Sequence, residues 1–503
     1  MITNFVQNVP NFSILFPMFA AILSSAVNGK KARKISLYLT IFMGAISLLL
    51  LSYTYTTGES FVYWMGHFPA PWGNEIRGGM LEALMAFLFS FITLISLVGG
   101  GEKLEEYLDA EKSNFYYIMV DLMLASNLAL VYTNDMFTAY VFVEINTIAA
   151  CGLIISKDKA YSVAAGVRYM IMAMIGSGLL LLGICFLYDI TGQLLMQPGK
   201  EAVAILIQTG EYRVPLLLAI AMISVGVAIK SALWPFHTWL PQAYGYSTTA
   251  SSAMLSSVIS KGYIFLLIKF IVRVFGVEYY GKSGIVHVLF IFGIMAMIFG
   301  SIEAIKQKKL RRMVAYSSIA QIGYIFMGIG MASIMGLEAS CLHIFAHASA
   351  KSLAFISAAG LIKASGSREI EGMYGAGYKN KIAGLGFVFA SLSMIGIPGF
   401  AGFISKMVFA QAALADPTRV MPVLAALAIS TLLNAIYFMR VVLVIYTPLS
   451  DEQKEQGMKY ETVKNYRWYG PAIILSCAFN LMLGLFCSNH FIEIVSRGLE
   501  LFG

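Results

Sequence analysis

The stretch SVGVAIKSALWPFHTWLP, residues 224–241, places one lysine, Lys230, inside an apolar helix that prolines interrupt. A second stretch of this kind, SMIGIPGFAGFISKMVF at residues 393–409, carries Lys406 after a proline and several glycines. A charge at the bilayer centre costs at least ~2.5–3.5 kcal/mol, so each lysine needs a reason to be there. Paired broken helices predict an internal repeat and commonly mark the ion path of a transporter.

The rest of the chain consists of further apolar runs. Of its 503 residues, 58% are hydrophobic and only 12% are charged, about half the charged fraction of a typical soluble protein. A helix needs roughly 20 apolar residues to cross a bilayer. The runs predict an all-α integral membrane protein with 14 spans, at residues 12–28, 35–55, 80–99, 115–133, 136–155, 163–188, 212–231, 247–275, 284–305, 313–331, 336–361, 382–409, 420–446 and 468–490.

Positive charge is distributed unequally between the two sides of these spans. Loops after odd-numbered spans hold 21 of the 35 lysines and arginines. The opposite side holds 7, counting Arg213 and Arg273 at the ends of their spans, and 7 lie further within spans. The positive-inside rule then predicts that both termini lie outside the cytoplasm. The protein is expected in the inner membrane of the cell. The same rule also accounts for the net charge of +8 without nucleic acid as a partner.

Seven cationic residues fall inside the predicted spans. Arg168, Lys269 and Arg440 lie near span ends, where their side chains can reach the headgroups. The other four need buried partners: Lys230, Lys261, Lys351 and Lys406. Burial disfavours the charged form of a lysine and a nearby carboxylate restores it, so a neighbour that moves can make the lysine bind or release a proton.

Glu144, in FTAYVFVEINTIAACGLI (137–154), is the clearest acid inside a span. It follows Asp135 by nine residues, which is about 13 Å along a helix and close to mid-bilayer. A lysine within ~4 Å would hold it ionised, with an attraction of about 4 kcal/mol at an effective dielectric near 20. Lys230 is the expected partner, and a purely structural ion pair is the alternative.

A titratable stripe follows in CLHIFAHASAKSLAF (341–355). His343, His347 and Lys351 are spaced four residues apart, so they form one stripe of about 12 Å on a helix. Histidine titrates near physiological pH, and the stripe is therefore predicted to pass protons. The alternative is three separate packing or hydrogen-bonding residues.

Catalytic and cofactor motifs are not apparent. The sequence has no Walker motif, and its five cysteines show no metal-binding spacing, so neither a cofactor nor a metal is expected. Whether the chain belongs to an enzyme complex stays open. If electrons drive it, another subunit handles them.

Taken together, these motifs resemble the antiporter-like membrane subunits of respiratory complex I, Mrp-type sodium/proton antiporters and membrane-bound hydrogenases. The similarity runs from about residue 115 to 446. Since no long lateral helix follows the last span, we expect the chain to be more similar to a D-type subunit of an Mrp antiporter, or to the equivalent subunit of a membrane-bound hydrogenase, than to the largest complex I homologue. The stretches that carry the resemblance are YVFVEI, GVAIKSALWPFHTWLPQA, SSVISKGYIFLLIK, KKLRRMVAYSSIAQIGYIFMG, HIFAHASAKSLAF and IGIPGFAGFISK.

The resemblance implies a domain organisation. Three N-terminal helices (1–114) precede two inverted five-helix repeats (115–275 and 284–446, spans 4–8 and 9–13), each with a broken helix. A cytoplasmic loop and helix 14 (447–503) follow. The implied partners are other antiporter-like and small membrane subunits of one complex.

The resemblance also implies an ion path. It begins at a Glu144–Lys230 pair and ends at Lys406. The residues assigned to translocation are Glu144, Lys230, His237, Lys261, His343, His347, Lys351 and Lys406, with Asp135 and Arg168 in support. The cargo is protons, with sodium left open.

Two functions from different classes fit this reading. The first is a proton- or sodium-translocating subunit of an Mrp-type complex. The second is the ion-pumping membrane subunit of a redox-driven complex, related to complex I or to a ferredoxin-dependent hydrogenase. A third reading, a structural scaffold with silenced sites, conflicts with the intact series of lysines.

Overall fold

A computed structural model describes residues 2–68, 73–101, 104, 108, 113–157, 159–448, 465, 467–486 and 488–502, most of them helical. The helices are α1 (Ile2–Ser25), α2 (Gly29–Thr57), α3 (Met80–Gly99), α4 (Ser113–Tyr132), α5 (Met136–Ile155), α6 (Ala160–Thr191), α7 (Met196–Thr209), α8 (Arg213–Lys230), α9 (Leu240–Tyr246), α10 (Thr249–Met254), α11 (Ser260–Phe270), α12 (Val277–Lys282), α13 (Gly284–Lys306), α14 (Leu310–Gly330), α15 (Ile334–Ser365), α16 (Ala376–Lys379), α17 (Lys381–Ile395), α18 (Ala401–Leu414), α19 (Val420–Tyr446), α20 (Tyr469–Leu481) and α21 (Ser488–Glu500). One antiparallel hairpin, β1 (Phe61–Trp64) with β2 (Glu75–Gly78), precedes α3.

The membrane-protein fold is confirmed, but the predicted number of spans is not. Among the described residues, 11 helices are long and apolar enough to cross a membrane, or 12 if the bent pair at the C-terminal end counts as one span. Predicted spans 8 and 12 are each divided into helices shorter than 18 residues, and these are not included among the 11. The first joins α10 and α11 through the π-helical residues Leu255–Ile259, and the second is α17 followed by α18.

Both predicted helix breaks are present. The helix α8 ends at Lys230, and the chain then passes through Ala232 at φ +59° into a short 3₁₀ turn, Phe236–Trp239, before α9. The helix α17 ends at Ile395, where Gly396 takes φ +89°. Only residues without a Cβ adopt such an angle without strain, so the glycine terminates the helix.

Glycines allow the helices of the bundle to pack closely. A Cβ on Gly176 of α6 would lie 2.8 Å from the carbonyl oxygen of Gly226 on α8, and a Cβ on Gly226 would lie 2.6 Å from that of Gly176. Gly293 of α13 and Gly323 of α14 form a second contact of this kind. Small residues at helix crossings are the usual means of helix packing in membranes.

The centre of the molecule is formed by α14 and α15. In each of these two helices, 94% of the most apolar 18-residue segment is buried, compared with 33% in α19. The helix that carries the titratable stripe therefore lies in the protein interior, surrounded by other helices. Its polar groups must find partners within the protein or hold bound water.

The C-terminal region differs from the prediction. Its last predicted span bends by 78° between Leu485 and Asn489, and α21 continues from the bend. The guanidinium of Arg77 donates to the carbonyl oxygens of Leu501 (2.5 Å) and Phe502 (3.3 Å), which ties this end of the chain to the β-hairpin. Most of the predicted loop before α20, residues 449–464, lies outside the described residues.

Candidate ion-translocation site

Lys230 lies at the middle depth of the bundle. Its Nζ donates a 2.7 Å hydrogen bond to Thr147 Oγ1, and only 2% of the residue is exposed. Thr147 is eleven residues past the start of α5, which is about 16 Å along the helix. The break after α8 therefore delivers the ammonium group to the centre of α5.

Glu144 lies one helical turn before Thr147 on the same side of α5. It is half-buried, and its Oε1 has no hydrogen-bond partner among the described residues. The charge of Glu144 acts on Lys230, but the Lys230 ammonium donates to the threonine hydroxyl. The direct ion pair expected from the sequence is thus replaced by a longer-range interaction, and the ammonium group is held by the threonine hydroxyl.

Lys261 is fully buried at the end of a π-helical segment. Its Nζ donates to the carbonyl oxygen of Ser256 and, at 3.1 Å, to Ser260 Oγ. A π-helical turn disturbs the regular ladder of backbone bonds and is frequent at functional sites. Its neighbour Gly262 has no room for a side chain, because a Cβ there would lie 2.2 Å from Asn127 Oδ1.

The two histidines of α15 have opposite environments. His343 Nδ1 contacts Ser405 Oγ at 2.9 Å, and its Nε2 contacts Gln321 Oε1 at 3.0 Å. His347 is fully buried, yet neither ring nitrogen has a hydrogen-bond partner in the part of the chain that the structure describes. A buried unpaired polar group of this kind costs about 1–3 kcal/mol, so it needs a functional or solvent explanation.

The remaining two lysines are bound by backbone carbonyls. Lys351 Nζ donates to the carbonyl oxygen of Val314 at 2.9 Å and to Ser317 Oγ, both on α14. Lys406 Nζ donates to the carbonyl oxygen of Ile395 at 2.7 Å, at the C-terminus of α17. The negative end of a helix dipole favours a cation there, which accounts for the position of this lysine beside the second break.

We call these six titratable side chains the buried line: Lys230, Lys261, His347, His343, Lys351 and Lys406, the last of them partly exposed. The Tyr263 ring lies 5.1 Å from Lys230 Nζ and belongs to α11, the helix that also carries Lys261. The charge of Lys261 acts on both histidines and on Lys351.

The second half of the buried line is joined through aromatic rings. The ring centroids of His343 and His347 are 6.2 Å apart. The Tyr324 ring lies 5.1 Å from the His343 ring and 5.0 Å from Lys406 Nζ. The structure therefore brings residues from five helices of both predicted repeats into one series.

Besides Glu144, three of the assigned residues lie outside the buried line. His237 is half-buried beyond the break in α8, where the charge of Glu303 on α13 acts on it. Asp135 is the N-cap of α5, and its Oδ1 accepts from the Thr138 backbone N–H at 2.5 Å. Arg168 is exposed on α6. The structure does not bring these three together with the lysines.

Sequence reasoning missed a second buried charge cluster. Lys269 does not reach the headgroups but is fully buried, and its ammonium donates to the carbonyl oxygens of Val131 (2.9 Å) and Leu130 (3.2 Å). Arg273, assigned to a loop, forms a buried ion pair with Glu82, both side chains being 2% exposed. Glu82 stands alone in an apolar run, and a lone acid there is the signal that could have predicted a cationic partner.

Comparison with known protein families gives one match over most of the chain. The model of the family "NADH:quinone oxidoreductase/Mrp antiporter, TM" matches residues 133–482. Over 439 residues the chain is 33% identical to NADH-quinone oxidoreductase subunit N of Desulforudis audaxviator, with 86% of each chain covered. It is also 27% identical to the D-type subunit of a Na(+)/H(+) antiporter from Alkalihalophilus pseudofirmus, with 81% of each covered.

Two solved structures share the fold. One is the membrane-bound sulfane sulfur reductase, an archaeal respiratory membrane complex, with a TM-score of 0.85 at 21% identity over 98% of each chain. The other is the Mrp complex of Dietzia sp., with a TM-score of 0.85 at 20% identity over 99% of this chain and 98% of that one. The same fold thus serves an antiporter complex and a respiratory complex.

Proposed function

Because the chain belongs to the NADH:quinone oxidoreductase/Mrp antiporter membrane family, we propose that it carries protons along the buried line as an antiporter-like subunit of a multi-subunit membrane complex. The observation that carries this proposal is the series of four lysines and two histidines running through the interior from Lys230 to Lys406. Isolated buried charges can be structural, but a connected series of titratable groups in an apolar bundle is expected of a proton relay.

The chemistry follows from how burial and a neighbouring charge act on a lysine. An ammonium in an apolar interior loses its proton readily unless a carboxylate stabilises it. Glu144 supplies that negative charge for Lys230 at a distance. A motion that alters this distance would make Lys230 release or bind a proton, which the neighbouring groups of the buried line pass on.

The first test removes the two charges at the start of the path. We expect Lys230→Ala and Glu144→Ala each to abolish cation transport in everted vesicles while assembly into the complex continues. Normal transport by both variants would remove the pair from the mechanism.

A milder pair of variants guards against misfolding in that test. Thr147→Val removes the hydroxyl that accepts from Lys230 without changing side-chain volume much, whereas Thr147→Ser keeps the hydroxyl. We expect the valine variant to transport at least tenfold more slowly and the serine variant to stay near wild type. Equal rates in the two would show that the hydroxyl contact does not matter.

A redox-driven complex is the second candidate, because the chain is similar both to an NADH-quinone oxidoreductase subunit and to a sodium/proton antiporter subunit. The subunits that co-purify with the full-length chain separate the two, once identified by mass spectrometry. Antiporter subunits alone would support the Mrp type. Subunits that carry redox groups would support the respiratory type, and the buried line would serve either.

A further inference from the structure

A cationic cavity opens between the two halves of the molecule, on the face that carries most of the positive loops. Its volume is about 340 Å³, within the range of small-ligand pockets, about 300–1,000 Å³. Six cationic side chains line it. These six are Lys157, Lys309, Arg311, Arg312, Lys363 and Arg368.

The backbone holds several of these charges in place. The N–H of Leu310 donates to the carbonyl oxygen of Arg368 at 3.1 Å, and the N–H of Ile370 donates to that of Lys308 at 2.8 Å. These two bonds fix the start of α14 against the segment after α15. The backbone segments that carry these cationic side chains are therefore held together, although the side chains repel one another.

The electrostatics of the cavity favour an anion. Burial, followed by the charges of Arg311 and Arg368, lowers the pKa of Lys157 to about 7. Arg312 adds a buried Nε without a hydrogen-bond partner among the described residues. The N-terminus of α14 faces the same space, and the positive end of a helix dipole adds to the attraction.

We infer that this cavity binds a phosphate group, and that its source is the headgroup of an anionic phospholipid. Arginine side chains bind phosphate oxygens with two parallel hydrogen bonds. Apolar lining from Ala359, Ile362 and the ring of Tyr246 suits the part of a lipid next to its headgroup. Basic pockets between membrane helices on the cytoplasmic side are known to take such headgroups.

The test compares two triple variants of the full-length protein that lose the same charge. Arg312→Gln, Lys363→Gln and Arg368→Gln together remove three of the six positive charges that line the cavity. Lys30→Gln, Lys31→Gln and Lys34→Gln together do the same in the α1–α2 region, where all three side chains are exposed. Native mass spectrometry after delipidation measures the retention of added phosphatidylglycerol, with phosphatidylcholine as the neutral comparison.

We expect the cavity variant to retain at least tenfold less phosphatidylglycerol than wild type, and the surface variant to match wild type. An equal loss in both variants, or no retention in wild type, would overturn the inference. Inorganic phosphate serves as the soluble probe in a thermal-shift assay. Protection by phosphate without lipid retention would overturn the lipid as source and leave a soluble phosphate ligand.

A single variant covers the case in which the triple cavity variant fails to fold. Arg368 is exposed on one side, so Arg368→Glu should fold while placing a negative charge at the rim of the cavity. We expect it to lower phosphatidylglycerol retention severalfold. Unchanged retention by this variant would count against the cavity as the binding site.

Discussion

At the scale of single residues, all four lysines of the buried line are held by uncharged oxygen atoms. Lys261, Lys351 and Lys406 each donate to at least one backbone carbonyl, and Lys230 donates to a threonine hydroxyl. Such acceptors stabilise an ammonium without the full attraction of a carboxylate. A lysine bound in this way can change its protonation at lower cost than one locked in a direct ion pair.

His347 offers the sharpest test at this scale. Because its ring nitrogens have no hydrogen-bond partners among the described residues, His347→Phe removes an unsatisfied polar group, and we expect equal or higher thermal stability. If the imidazole relays protons, transport should fall at least tenfold or shift its pH dependence. Transport rates across a pH series, together with thermal unfolding in detergent, measure both effects.

His343 provides the matched control. The change His343→Phe leaves Gln321 Oε1 without its partner, while Ser405 Oγ still donates to the carbonyl oxygen of Gly402. We therefore expect a loss of about 1–3 kcal/mol for the unpaired amide oxygen. A His347→Phe protein with wild-type transport at every pH would return His347 to a packing role.

At the scale of helices, the two breaks decide where the lysines lie. Lys230 ends α8, and Lys406 caps the C-terminus of α17 from the neighbouring α18. An unbroken helix would satisfy its own carbonyls and leave none for an ammonium group. The first break therefore sets the depth of Lys230, and the second provides a backbone carbonyl acceptor for Lys406.

The close contact of α6 and α8 supports this arrangement. A Cβ on Gly176 would lie 2.9 Å from Lys230 Cγ as well as 2.8 Å from the Gly226 carbonyl oxygen. We expect Gly176→Leu to destabilise the protein by about 1–3 kcal/mol or more through overpacking and to lower transport by displacing Lys230. Thermal unfolding in detergent and vesicle transport assays measure the two effects.

Gly178, two residues further along α6, is the control, since a Cβ there meets nothing within 4 Å. Gly178→Leu should keep wild-type stability and transport. If both leucine variants behaved alike, the close contact of α6 and α8 would not be what holds Lys230 in place.

At the scale of the whole molecule, the charge asymmetry predicts one orientation. We expect a cysteine at Lys31 to react with a membrane-impermeant maleimide only in inside-out vesicles, and one at Lys282 only in intact cells. Both positions are exposed in the structure. The unsubstituted protein controls for the native cysteines, and the reverse labelling pattern would invert the proposed topology and move the cationic cavity to the outer face.

The membrane class, both helix breaks and most of the titratable residues of the interior could be predicted from the amino-acid sequence. These properties are local, because hydropathy, proline and glycine act within one helix. A lysine at the middle of an apolar run is buried wherever that run packs. The burial of Lys230, Lys261 and Lys351 could therefore be predicted from neighbouring residues alone, whereas Lys406 is only partly buried.

Which side chains form hydrogen bonds and ion pairs with one another depends on the tertiary structure. Thr147 rather than Glu144 accepts the hydrogen bond from Lys230. Arg273 forms an ion pair with Glu82, which lies 191 residues away in the chain. The span count likewise depends on how segmented helices stack. Such contacts join helices distant in the chain, and their geometry follows from the packing of the whole bundle, which local periodicity does not encode.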